Sequence, residues 1–358
     1  MKTSVKITGL KEQILQLTAM SGEISERALD RLNGSRRYTD NCLSQLRQES
    51  MLVQYKRDNL TGHRLAPKGK HYLERRYPDR FTVVKRVRLD LLHRRRYMRS
   101  SEVLTMMYNL GIPIFADEKP NLYAPLADSS QSSQSYYTSY EVKNRGEESI
   151  KINNARFNGL LRCCTGDYLV YNTGASVIKW EAMSEFRASE LVGHLLGSEI
   201  RQLIIGDTMD TAWDLLTSDG GKEHQYFELD DLIPSILFIP NDAEGDFLLR
   251  MNCLTNSIQR LKYSVFQKMN LQSCPNSLDC DGYTDDKTAV LFACDMDLKR
   301  IRNLKIGAEA KLLKLIIICF DFQAELLSRY YGDLASLRTI DARKIAELFK
   351  IPLGGGVS

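Results

Sequence analysis

Apolar residues recur at helical spacing from Leu10 to Met20, where Leu10, Ile14, Leu15 and Leu17 share one face. A second, short helix is predicted in SERALDRL, opened by Ser25 as its N-cap. A turn at Asn33-Gly34 separates it from a third helix, Arg36 to Arg47, with Leu43 and Leu46 facing inward. Met51-Leu52-Val53 then leads into a strand, Asp58 to Gly62 supplies a turn, and His63-Arg64-Leu65 gives the return strand. Another helix begins near Pro67, a residue suited to a first helical turn. Three helices, a two-stranded wing and a closing helix form the winged helix-turn-helix order, which is predicted over residues 1–82.

Apolar positions resume at helical spacing between Val87 and Leu110, predicting one long helix, or two with a break near Ser100-Ser101, ending at Gly111. This basic helical connector spans residues 83–125. The polar stretch Leu126 to Ser135 (LADSSQSSQS) lacks periodicity and reads as a linker. Strand and helix signals alternate beyond it. Strands are expected at Phe157–Cys164, Asp167–Asn172, Val177–Trp180, Arg201–Gly206, Ser235–Ile239, Thr288–Cys294 and Leu315–Phe320. Helices are expected at Met183–Leu196, Asp207–Thr217, Gly245–Leu254 and Phe322–Tyr331. The expected class is therefore α+β or α/β, with a winged helix-turn-helix followed by an α/β domain over 126–358.

Charge sharpens this division. The whole chain of 358 residues carries a formal net charge of only +4. Residues 1–100, however, hold 23 Lys and Arg against 10 Asp and Glu, leaving 26 against 35 in the remainder. A basic head on an acidic body is the asymmetry expected of a protein whose head binds a polyanion.

A helix fits the major groove of B-DNA, where Arg, Asn and Gln pair with base edges. On the third helix Arg36, Arg37, Tyr38, Asn41, Ser44 and Gln45 are the candidates for that role. Lys56, Arg57, His63 and Arg64 of the wing and Lys68 of the following helix are placed to reach phosphate or the minor groove. Arg94, Arg95 and Arg96 of the connector extend the basic surface. The expected partner is double-stranded DNA; a winged helix used as a protein-interaction module is the alternative.

Enzymatic signatures are sparse. No Walker A or GxGxxG stretch occurs, so no nucleotide cofactor is implied. Asp297 and Lys299, with Asp281 or Asp286 upstream, fit loosely the acid and lysine pattern of a Mg²⁺-dependent nuclease if they lie on a strand. Glu141-Val142-Lys143 offers a second acid–lysine pair, but Thr138 or Ser139 reads there as a helix N-cap. His194 is expected to pack within its helix. No paired cysteines or histidine cluster suggests a metal among the eight cysteines and five histidines. With neither an apolar leader nor a run of about 18 apolar residues, the expectation is a cytoplasmic protein with reduced thiols and no membrane span. Cys274 and Cys280 would bridge only in an oxidising compartment.

Four stretches carry a family resemblance: RLAPKGKHYL in the wing, GIPIFADEKPNLY after the basic helix, YYTSYEVK, and the block from Arg156 through YLVYNTG to IKWEAMSEFR. In these the chain resembles the replication-relaxation family of plasmid and conjugative-element proteins. The resemblance implies an N-terminal winged helix and a C-terminal domain similar to restriction-endonuclease-like folds, often inactive. It also implies action in replication, transfer or transcriptional control of a mobile element. A homodimer and partner proteins of that element are the expected assemblies. No acid-plus-ExK pair stands in the hairpin from Asp167 to Trp180, where an active nuclease would carry it.

Overall fold

Helix α1 (Leu10–Ser21) turns Leu10, Ile14, Leu15 and Leu17 into the interior and stops at Gly22, whose N–H returns to the Thr18 carbonyl with φ of 85°. Two residues later Ile24–Ser25 forms β1, and Ser25 doubles as the N-cap of α2 (Glu26–Asp30), its hydroxyl accepting from the Ala28 N–H at 3.0 Å. Ser35 caps α3 (Arg36–Gln48) in the same way. Strands β2 (Leu52–Arg57) and β3 (Leu60–Leu65) form an antiparallel hairpin. Asp58 and Asn59 at its tip both have positive φ, 52° and 57°, the signature of a type I′ turn. The helices α4 (Pro67–Arg76) and α5 (Leu91–Asn109) follow.

In the computed structural model the described residues are 7–32, 34–81, 87–123, 134–145, 148–149, 152, 155–177, 181–220, 227, 229, 232–272 and 279–353. The chain divides into two compact units, residues 1–129 with 135–141, and residues 142–356 with 130–134. The connector anticipated at 83–125 is not a separate element. Its helix α5 runs unbroken through Ser100-Ser101 and packs on α1, α2 and β1 within the first unit. In that unit the three strands lie in the order β1-β3-β2, with Ser25 opposite Gly62. Gly62 is required there: a Cβ would stand 2.5 Å from Glu23 Oε1 and 2.8 Å from Met98 Cε. The linker expected over 126–135 lies outside the described residues up to 133.

The chain continues through β4 (Ser135–Thr138), α6 (Ser139–Lys143) and the short strands β5 (Asn144–Arg145) and β6 (Glu148–Ser149). In the second unit β7 (Gly159–Cys163) and β8 (Gly166–Gly174) pair antiparallel across the expected turn at Thr165-Gly166. Helices α7 (Ala182–Leu196) and α8 (Met209–Thr217) then carry the chain to β9 (Ile200–Gly206) and β10 (Ile236–Pro240), both added in parallel. The strand expected at Val177–Trp180 falls largely outside the described residues.

A second sheet follows α9 (Ala243–Leu249), a π-helical turn at Arg250–Leu254 and α10 (Ser257–Met269). Its order is β11-β12-β13-β14, formed by Gly282–Tyr283, Ala289–Phe292, Leu315–Phe320 and Ala335–Ile340. Strands β12, β13 and β14 are parallel, joined by α11 (Leu298–Lys311) and α12 (Ala324–Tyr331), and α13 (Ala342–Phe349) closes the unit. Strands β10, β12 and β13 are buried along their whole length, as strands covered on both faces must be. The architecture is thus a mixed α and β one. No helix among the described residues is long and apolar enough to cross a membrane. Cys42, Cys163, Cys164, Cys253, Cys294 and Cys319 are free thiols, whereas Cys280 is disulfide-bonded, which corrects the expectation of reduced thiols throughout. Cys274 lies outside the described residues.

Candidate nucleic-acid interface

The third helix presents two faces of opposite character. Thr39, Cys42, Leu43 and Leu46 are buried, while Arg37, Tyr38, Asn41 and Gln45 are exposed and Ser44 is half-buried. Tyr38, at 53% exposure, is a large aromatic ring left in solvent on that face. The spacing explains the division: positions three and four apart stay together on a helix, so 39, 42, 43 and 46 face the core as a set. Arg36, also exposed, is less available than its position suggests. Its guanidinium bonds to Asp30, lies 2.7 Å from Glu26, and stands 3.4 Å from Asp40, and Asp30 and then Glu26 raise its pKa further.

Beside α3 stands the hairpin. Arg47 of α3 donates to the Gln54 side chain of β2 at 2.8 Å, tying the two together. Lys56 and Arg57 are exposed towards the hairpin tip. Lys68, in the first turn of α4, is also exposed and donates to the Glu49 carbonyl at 3.0 Å. Arg95 and Arg96 lie exposed on α5.

Three of the sequence candidates are not on this surface. Arg94 has no solvent exposure. Its Nη2 pairs with Glu23 Oε1 at 2.6 Å and reaches the carbonyls of Tyr55 and Leu60, while Nη1 donates to the Arg57 carbonyl at 2.8 Å. Arg64 donates through Nε to Glu23 Oε2 at 2.9 Å, and its guanidinium lies 4.4 Å from the centre of the Tyr55 ring. The Arg94 guanidinium lies 4.7 Å from the same ring. His63, 1% exposed, sits 3.3 Å from Glu26. Burial lowers its pKa and favours the neutral ring. These residues hold the hairpin from behind and cannot meet a nucleic acid on its outer face. For Arg94 the physical reason is helical phase: Arg94, Met98 and Ser101 share the side of α5 that packs inward, whereas Arg95 and Arg96 rotate away. His63 and Arg64 instead lie on β3, the central strand of its sheet.

Glu23 is the residue that sequence reasoning missed. It is fully buried and accepts from both Arg64 and Arg94. Nothing local marks an acid in a turn as the partner of arginines 41 and 71 residues away.

In the second unit the expected acid–lysine constellation has a different geometry. Asp297 is not on a strand; it is the N-cap of α11, accepting from the Lys299 and Arg300 N–H groups and from Ser235 Oγ at 2.7 Å. Lys299 Nζ donates to the Ile233 carbonyl at 2.7 Å. Asp286 accepts from Thr284 in the turn at 284–288. Asp281 accepts the Phe292 N–H at 2.7 Å and pairs with Lys262 at 2.5 Å. Among the described residues no three His, Cys, Asp or Glu side chains converge in a way that could hold a metal ion. Glu141 accepts the Thr138 N–H at 2.8 Å and pairs with Lys119, a helix-start arrangement. His194 is exposed on α7 rather than packed. Comparison of the chain with protein-family models, with curated proteins and with solved structures finds no match.

Proposed function

We propose that the first unit is a winged helix-turn-helix module that binds double-stranded DNA. In this reading α3 is the recognition helix and the β2–β3 hairpin is the wing. The observation that carries it is the polar face of α3. Arg37, Tyr38, Asn41 and Gln45 stand exposed beside a hairpin whose tip carries Lys56 and Arg57, within a stretch of strong basic surplus. Arg, Asn and Gln on one helix face have the donor and acceptor patterns that read base edges in the major groove. Cations on the flanking hairpin and on α4 and α5 suit phosphate contacts, which set orientation and affinity.

The resemblance to the replication-relaxation family puts this activity in a plasmid or conjugative element, in its replication, transfer or transcriptional control. A homodimer acting with other proteins of that element completes the proposal. The restriction-endonuclease-like reading of the second unit gains nothing from the β7–β8 hairpin. Its one buried acid, Asp167, is paired with Arg162 at 3.1 Å and accepts from Ser198 at 2.6 Å.

The test is binding of the full chain to random duplex DNA across a salt series, beside an Arg37→Ala, Lys56→Ala, Arg57→Ala variant. Binding that weakens steeply with salt and is largely lost in the variant supports the reading. Absence of binding at low salt overturns it and leaves the protein-interaction reading of the same face.

A further inference from the structure

The second unit contains a cleft of about 760 Å³, within the size range of small-molecule sites. Its wall joins the starts of β8, β9 and β10 to α10 and to the segment leading into α11. Five carboxylates line it, Glu199, Asp279, Asp281, Asp295 and Asp297, against three cations, Arg201, Lys262 and Arg300.

The cations are already engaged. Arg300 bonds to Asp281 and to Asp295, the latter at 3.2 Å, and Lys262 pairs with Asp281 at 2.5 Å. Arg201 directs one amino group to the Thr165 carbonyl at 3.2 Å, 3.4 Å from the Tyr168 hydroxyl. An anionic ligand would have to take Arg300 and Lys262 from their carboxylates and meet Glu199 and Asp279, which are exposed in the lining. A cation meets the opposite field.

A second observation points the same way. Asn252, in the wall, is 4% exposed. Its Nδ2 donates to the Asp295 carbonyl at 3.0 Å. That bond fixes the amide, because turning it over would set oxygen against oxygen. Oδ1 is thereby left with no donor among the described residues, a buried acceptor in want of an N–H. The half-buried carboxyl of Asp295 is pushed up to about 6, chiefly by desolvation and in spite of Arg300 beside it.

From these features we infer that the cleft is a binding site for a small organic cation bearing N–H donors, an amine or guanidinium compound. The ammonium or guanidinium balances the carboxylate excess, and one of its N–H groups supplies the donor that Asn252 Oδ1 lacks.

The experiment is calorimetric titration of the full chain at low ionic strength with agmatine, putrescine and spermidine. Tetramethylammonium serves as a cation without N–H donors and inorganic phosphate as an anion. At least one of the three amines binds saturably, and tetramethylammonium binds about tenfold or more weakly, as expected when a hydrogen bond to a buried acceptor is lost. Asn252→Ala weakens the amine about tenfold. Glu199→Gln, at an exposed position that folding tolerates, weakens it about threefold by removing a charge. The inference is overturned if none of the amines binds, if phosphate binds in their place, or if neither substitution changes the amine affinity.

Discussion

Arg94 and Glu23 form an ion pair at 2.6 Å in which both side chains are fully buried, and it links α5 to the turn ahead of β1. From the same guanidinium, bonds run to the carbonyls of Tyr55, Arg57 and Leu60 on the hairpin. One arginine therefore fixes the position of the proposed wing relative to the helices behind it. A buried pair of this kind adds little net stability when formed, but removing one partner strands the other charge. Glu23→Gln leaves two guanidiniums, Arg64 and Arg94, without their acid.

Arg94→Met is accordingly expected to destabilise the first unit by about 3–5 kcal/mol, read by urea denaturation. The Glu23→Gln, Arg94→Met double variant should fall short of the summed single effects by roughly 1–3 kcal/mol. Strict additivity would mean that the two side chains do not act as a unit.

The exposed and buried arginines should separate in DNA binding. Arg37, Lys56, Arg57, Lys68, Arg95 and Arg96 are the exposed cations of the proposed surface. If these six each neutralise a phosphate, the logarithm of affinity falls against the logarithm of salt with a slope near ~−5. Lys56→Ala or Arg57→Ala should each flatten that slope by about one. His63→Ala, at a buried position, should leave it unchanged, and a reduced slope in that variant would place His63 on the DNA.

Base reading is expected from Asn41 and Gln45. Replacing either with Ala should relax sequence preference at one position by about 1–3 kcal/mol while preserving the salt slope. Selection of binding sites from a random duplex pool, compared between parent and variant, measures it. Equal weakening across all sequences would instead make these side chains phosphate contacts.

Much of the first unit is legible in sequence because each boundary carries a local signal. Ser25 and Ser35 cap their helices, Asp58-Asn59 closes the hairpin, and Pro67 opens α4. What was not legible depends on partners far away in the chain. Arg94 reads as one of three consecutive arginines until α5 is phased against Met98 and Ser101. Glu23 has no local signal at all. In the second unit the fully buried strands stand out as apolar runs, but β14 does not. Its sequence, ASLRTI, lies at a sheet edge with alternating exposure, so it lacks the continuous hydrophobicity of its neighbours. The helix α11 was obscured by Asp297 and Lys299, which read as an acid–lysine pair on a strand; Asp297 is in fact its cap.

Gly62 tests how closely the first unit is packed. A Cβ there would lie within 3 Å of both Glu23 and Met98, and Glu23 is pinned by its two arginines. Gly62→Ala should therefore destabilise by about 1–3 kcal/mol, as overpacking does, although a methyl is small and alanine favours ordered backbone. A neutral outcome in thermal denaturation would mean that Glu23 can shift without losing Arg94.

Glu185 should make stability depend on pH. It is buried in the second unit, accepting from the Tyr171 hydroxyl at 2.9 Å and the Arg156 N–H at 2.8 Å. Desolvation outweighs these two bonds and pushes its carboxyl up to about 7. An unfolded glutamate titrates near ~4.3. Between those values the folded chain retains a proton that the unfolded chain has released, so stability falls as pH rises through the window. The loss is complete above the folded value and amounts to at most about 4 kcal/mol. Glu185→Gln, which cannot ionise, should make the curve less steep between about pH 4.5 and about pH 7 and make the variant the more stable form above that range. Within it a residual slope of the same sign should persist, because the carboxyl of Asp295 is also raised, to about 6. Urea denaturation of parent and variant across this range measures both, and equal slopes in the two between about pH 4.5 and about pH 7 would show that Glu185 is ionised throughout.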